Sequence, residues 1–227
     1  MSADPGTGWE IRPARVDDAV EVDRLYEVCL RTGANGEDAS ALFHDGRMLG
    51  DIFVGPYLAL EPELAWVIAP RGGPAAGFVL GAADTEDFER TAESVWWPLV
   101  RERHRPAADS GESTPLPAEA AALAAIRKPP VTPVSVTRDY PAHLHIDLLP
   151  EAQGGGNGRR MIDTLLGALR ARKVRGVHLG VGKGNAAAIG FYRHLGFDEL
   201  SDEGTFLRMG MRLTPARSTT RERPSDD

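Results

Sequence analysis

The sequence predicts a mixed α/β (α+β) fold, with helices flanking a sheet, and three observations carry that prediction. Two apolar runs, 64–69 and 76–82, are joined by Arg71-Gly72-Gly73-Pro74, which is a hairpin signal. A strand-like run at 142–149 leads through a glycine turn into a helical pattern at 160–172. A second strand-like run, 177–181, is followed by a helix at 185–195 that closes on Gly196.

The elements follow in order. Trp9-Glu10-Ile11-Arg12-Pro13-Ala14 reads as a first strand. Asp18, with Glu21 three residues on, opens a helix as a capping-box-like pair. Val22, Leu25, Tyr26, Cys29 and Leu30 give that helix one apolar face, and Thr32-Gly33-Ala34-Asn35-Gly36 ends it. The stretch 53–64 is apolar but broken by Gly55, Pro56 and Pro62, a loop or short helix. After the hairpin, 85–103 is helical, with Phe88, Ala92, Val95 and Trp96 on one side and Pro98 positioned to kink it or to end its first part. Seven of the 17 prolines fall between His104 and Pro141, which marks a mobile Pro-rich insertion (about 104–141) with a short Ala-rich helix at 118–126. Met161, Ile162, Leu165, Leu166 and Leu169 form the inward face of the helix after the glycine turn. Residues 197–200 and 205–213 read as a last hairpin. The expected domain spans 9–213, and tails 1–8 and 214–227 are expected to be disordered.

Composition bounds the function. The chain has 227 residues, 42% hydrophobic and 26% charged, enough to bury a substantial core. A net charge of −7 argues against a nucleic-acid partner and is compatible with a basic acceptor. No apolar run of membrane-spanning length and no signal peptide is present, so no membrane partner is expected and the cytoplasm is the default location. The single Cys29 excludes an intramolecular disulfide framework and reads as a buried small hydrophobe. One Cys and six scattered His show no zinc spacing, so no metal is expected.

The strongest signal is Gln153-Gly154-Gly155-Gly156-Asn157-Gly158-Arg159. Strand, glycine turn and helix start can aim several backbone N–H groups at one phosphate. A Walker loop requires a Lys that is absent here, and a dinucleotide fingerprint requires a third glycine where Met161 or Arg159 stands. The spacing Gln-x-x-Gly-x-Gly after a strand resembles the pyrophosphate loop of the GCN5-related N-acetyltransferase (GNAT) superfamily. Downstream, Asn185-Ala186-Ala187-Ala188-Ile189-Gly190-Phe191-Tyr192-Arg193-His194-Leu195-Gly196-Phe197 matches that superfamily's second signature.

This resemblance implies a mostly antiparallel central sheet with one splayed parallel strand pair, and acetyl-CoA as cosubstrate. It implies that the loop residues Gln153, Gly154, Gly155, Gly156, Gly158 and Arg159 hold the pyrophosphate. Leu148 and Leu149 on the strand, with Asn185 and Ala188 at the next helix start, would meet the pantetheine arm, which can add between splayed strands like a short strand of its own. Asn185 also reads as a plain helix N-cap. Tyr192 would protonate the departing thiolate, and shares a helix face with Asn185 seven residues earlier. Its bland alternative is a core tyrosine. Arg193 and Lys183 could meet the 3′-phosphate of the cofactor, with the solvated surface the favoured reading.

Period-two alternation places His143, His145 and Asp147 on one strand face and Leu144, Ile146 and Leu148 on the other. Such a polar row suggests a wet, functional face. Candidates to take the amine proton are Asp147, His145 and Glu61, with Asp147 favoured. Cys29 shows no adjacent base and is not expected to act as a nucleophile.

Residues 55–68, 76–84, 94–98 and 145–150 also resemble the acetyltransferase-like C-terminal domain of eukaryotic O-GlcNAcase, over roughly 10–213. That resemblance implies a free-standing, bacterial-type relative whose glycine loop is intact where the eukaryotic one is degenerate. The expected activity is acetyl transfer to an amine by direct attack in a ternary complex, in a monomer or homodimer. The alternatives are a non-catalytic module that binds acetyl-CoA or a peptide, and a structural domain with no ligand.

Overall fold

The computed structural model describes residues 8–105 and 114–213; residues 1–7 and 214–227 of the expected tails and the stretch 106–113 of the insertion lie outside the described residues. Seven strands form one sheet: β1 (Trp9–Pro13), β2 (Ala65–Pro70), β3 (Gly77–Ala82), β4 (Ala142–Leu148), β5 (Gly176–Gly182), β6 (Asp198–Asp202) and β7 (Phe206–Arg212). Their order is β1-β2-β3-β4-β5-β7-β6, and every neighbouring pair is antiparallel except β4–β5. The mostly antiparallel sheet with one parallel pair is as expected.

Helices cover both faces. Register places His143, His145 and Asp147 opposite Ala82, Leu80 and Phe78 of β3. Against that face lie α1 (Ala19–Thr32), α2 (Met48–Phe53), α3 (Gly55–Leu60) and α4 (Thr85–Val95). The other face carries α8 (Asn157–Ala171), whose Met161, Ile162, Leu165, Leu166 and Leu169 are all buried as their spacing predicts. The proline-broken stretch 53–64 resolves into α3 followed by a 3-10 turn at Pro62–Leu64.

Two local expectations, the capping box at Glu21 and the inward face of Val95, need correction. Asp18 caps α1 by accepting from the Val20 N–H at 3.1 Å, but Glu21 does not complete the box. Its carboxylate, 4% exposed, instead accepts from Arg12 Nη1 at 2.8 Å and from the Arg15 backbone N–H at 2.7 Å, tying β1 to α1. Burial alone would raise this carboxyl; the hydrogen bonds from Arg12 and Arg15 outweigh it and hold it at about 2. The helical stretch 85–103 ends its first part ahead of Pro98, as expected, and divides at Trp96 into α4 and α5 (Trp97–Arg103), because Pro98 can occupy a first helical turn but not a helix interior. That break turns Val95 outward, 53% exposed, and Trp97 inward.

The described part of the insertion is docked rather than mobile. It holds α6 (Pro117–Arg127), the expected Ala-rich helix, and α7 (Val134–Thr137). Ala122 and Ile126 of α6 pack with Met48, Ala92, Trp97 and Val100. Glu119 accepts from the Leu116 N–H at 3.0 Å and bonds His44 Nδ1 at 2.7 Å, which fastens α6 to the segment before α2.

Candidate functional site

The glycine loop is shaped by its backbone. Gly154, Gly155 and Gly156 take φ of 76°, 57° and 79°, a left-handed run that costs an L-residue about 1–2 kcal/mol per position. A Cβ at any of the three would meet nothing within 4 Å, so conformation, not crowding, requires glycine there. Gly158 differs: its Cβ would stand 3.0 Å from the Phe191 ring, so this glycine lets α8 approach α9 (Ala186–Leu195). Gln153 Nε2 donates to the Leu148 carbonyl at 2.9 Å, and buried Asn157 Nδ2 donates to the Ala152 carbonyl at 3.0 Å. These bonds fix the loop and leave the N–H groups of Gly155, Gly156, Gly158 and Arg159 without a partner among the described residues. Unpartnered backbone donors at the start of a 15-residue helix suit an anion.

Between β4 and β5 the sheet opens. The two strands pair only at Ala142–Val177 and His143–His178, so from Leu144 to Leu148 the edge of β4 facing β5 has no strand beside it. A cleft of about 700 Å³ fills the gap, lined by Gln153, Gly154, Gly156, Gly158 and Arg159 at one end and by Tyr192 at the other. It continues into an inner hollow of about 290 Å³ that reaches Cys29 and His145. Asp147, Asn185, Ala188 and Tyr192 line both, while Leu148 lines the outer cleft.

Most of the residues named from sequence therefore converge. Gly155 and Leu149 do not line the cleft. Leu149 is fully buried and its N–H is spent on the Ala76 carbonyl. Asn185 is indeed an N-cap, accepting from the Ala188 N–H at 2.9 Å; its Nδ2 has no partner among the described residues and lies beside Gly36. Tyr192 is 8% exposed, and its hydroxyl has no hydrogen-bond partner among the described residues. Burial first, and the Asp147 carboxylate second, push this phenol well above its ordinary value, so it holds its proton throughout the physiological range.

The polar row of β4 divides in two. His145 Nε2 and Asp147 Oδ2 stand 3.2 Å apart at the inner hollow, and Phe53 stacks on the His145 ring at 5.2 Å. His143, though half-buried like the other two, packs its ring among Tyr57, Phe88 and His178, and burial pushes it down to about 3. Glu61 lies elsewhere, paired with Arg172 at 3.3 Å and lining neither cavity. Lys183 pairs with Asp202 at 2.7 Å and Arg193 with Glu199, both at the surface as expected.

The scattered Cys and His do make a cluster. Donor atoms of Cys29, His145 and Asp147 lie within 4.8 Å of one another, a convergence that linear spacing could not register. Residues 32–37 also line the cleft, through Thr32, Asn35, Gly36 and Glu37. Asn35, at φ 57°, packs against Gly182 at the end of β5 and Gly184 just beyond it. The only signal of this role in the sequence is the Asn-Gly pair, which reads equally well as a helix stop. His194 lines the outer cleft too, and no pattern singled it out.

Comparison with known proteins agrees with this geometry. Residues 113–197 match the model of the acetyltransferase (GNAT) family. The structure of SsHAT is 35% identical, with 91% of this chain and 98% of that one covered and a TM-score of 0.80. PH1933 from Pyrococcus horikoshii OT3 is 16% identical, covering 91% and 99% with a TM-score of 0.58, and shows the same fold. So does yncA from Salmonella typhimurium, solved with its cofactor acetyl-CoA, at 15% identity, 93% and 98% coverage and a TM-score of 0.50. No helix among the described residues is long and apolar enough to cross a membrane. The chain belongs to the acetyltransferase (GNAT) family, enzymes that transfer an acetyl group from acetyl-CoA.

Proposed function

We propose that the chain moves the acetyl group of acetyl-CoA onto an amine by direct attack, with both substrates bound at once. The observation that carries this reading is the continuity of the cleft. Unpartnered loop N–H groups stand at one end, and Tyr192 and Asp147 line its junction with the inner hollow. On this reading Gly156, Gly158 and Arg159 hold the pyrophosphate, with Gly154 and Gly155 shaping the turn and Gln153 bracing it. The open edge at Leu148 and the free Nδ2 of Asn185 meet the pantetheine arm, and Ala188 forms the wall beside it.

The chemistry then assigns itself by position. The neutral amine attacks the thioester carbon, forming a C–N bond as the C–S bond breaks. Asp147, directly or through water, takes the amine proton. Tyr192 gives its proton to the leaving thiolate. Phenol and thiol share one poorly solvated cleft, so burial raises both acidities' midpoints together and keeps the transfer feasible. The carboxylate and His145 beside Phe53 favour a cationic, partly apolar acceptor.

The test compares Tyr192→Phe with wild type in acetyl-CoA consumption across a panel of amines. We expect kcat to fall about a hundredfold or more, with acetyl-CoA still raising the Tm of both proteins. Equal rates with every amine would leave a binding module instead. An unchanged Tm at acetyl-CoA concentrations far above micromolar would remove the cofactor site altogether.

A further inference from the structure

Cys29 of α1 meets His145 and Asp147 of β4 at the inner hollow, and a donor atom from each lies within 4.8 Å of the other two. The His145 Nε2 to Asp147 Oδ2 distance of 3.2 Å is close to the edge, about 3.3 Å, of a tetrahedron with metal–ligand bonds of about 2.0 Å. Phe53 and Phe78 flank the His145 ring at 5.2 and 5.9 Å and hold its plane. The hollow, about 290 Å³, leaves room for an ion and a fourth ligand. One thiolate, one imidazole and one carboxylate make a donor set suited to zinc rather than to magnesium or calcium.

We propose that Cys29, His145 and Asp147 form a three-ligand site for a zinc-class divalent ion, with its fourth position open to the cleft. Loading releases the Cys29 thiol proton to solvent and involves no redox change. It also engages the Asp147 carboxylate, so on the acceptor-site reading above, which this consequence rests on, the bound ion shuts off acetyl transfer.

Cobalt(II) is the probe. The full-length, tag-free, chelator-treated protein is titrated with Co²⁺ and read for a thiolate-to-cobalt charge-transfer band in the near ultraviolet. We expect one equivalent to saturate the band, Zn²⁺ to displace it, Cys29→Ser to abolish it, and Asp147→Asn to weaken Co²⁺ at least tenfold. Because Cys29 is the chain's single cysteine, the wild-type spectrum decides even if the serine variant does not fold. Absence of the band, or its survival in Cys29→Ser, overturns the site. At saturating Zn²⁺ we expect acetyl transfer to fall at least tenfold and to recover with chelator; an unchanged rate overturns the shut-off. A cobalt band in a protein that acetylates no amine would refute the transferase reading while upholding the metal site.

Discussion

Lowering the pH from 7 to 5 is expected to remove about 4 kcal/mol of stability, through two imidazoles. His178 is 2% exposed, with its Nδ1 bonded to the Tyr140 carbonyl at 2.8 Å, and burial pushes it down to about 4. His143 sits against it, closed in by Tyr57, Phe88 and the Thr85 hydroxyl; burial, and then repulsion from His178, push it down to about 3. The folded protein therefore keeps both rings neutral at pH 5, while the unfolded chain protonates them below about 6.5. The unfolded state binds more protons, so stability is full above that value and falls as pH drops toward 4. Down to pH 5 each withheld proton costs about 2 kcal/mol, a large share of a typical 5–15 kcal/mol. Glu21 acts in a different window: held at about 2, it contributes stability that is lost only below about 4.5. Urea unfolding at pH 7, 6 and 5 measures the slope. In His178→Gln the loss between pH 7 and 5 should halve, whatever that variant's stability at pH 7. A wild-type loss under about 1 kcal/mol, or an undiminished loss in His178→Gln, would refute the argument.

Three further outcomes are expected. Gly156→Ala forces φ of 79° on an alanine, so unfolding should show a loss of about 1–2 kcal/mol and calorimetry a weaker hold on coenzyme A. Glu21→Gln leaves Arg12 and Arg15 without their carboxylate. About 2 kcal/mol should be lost at pH 7, less than for a fully buried pair because Arg15 is 61% exposed, and the loss should disappear near pH 2. Leu165→Ala removes a fully buried side chain from the α8 face and should cost about 2–5 kcal/mol in denaturant, without changing which amines are acetylated.

What the sequence made legible follows the range of the interactions involved. The face of α8, the hairpin at 64–82 and the glycine that ends α9 are set by neighbours within a few residues, and each stands where periodicity and turn chemistry put it. Local rules failed where a distant partner outbid a near one. Glu21 abandons the cap it could have completed because two arginines reach it from β1 and the turn that follows. His143 lies in phase with His145 and Asp147, yet alternation fixes only the face, and the aromatic rings that dry it come from α3 and α4. The strand splay is legible only through the family resemblance, since pairing at two residues and not at seven leaves no local mark.

The same reasoning explains the partial reading of the site. The loop residues are contiguous, so their joint role could be inferred from spacing. The burial of Cys29 follows from its place on the apolar face of α1, but its nearness to Asp147 depends on how α1 crosses β4, a contact across more than a hundred residues. Asn35 reaches Gly182 and Gly184 over a longer span still. The residues that line the inner hollow are therefore those least visible in the sequence. On the acceptor reading proposed above, two transferases sharing the glycine loop, Asn185 and Tyr192 can present different acceptor walls, because the inner hollow is lined from α1, α2 and the turn that follows α1, where no motif constrains it.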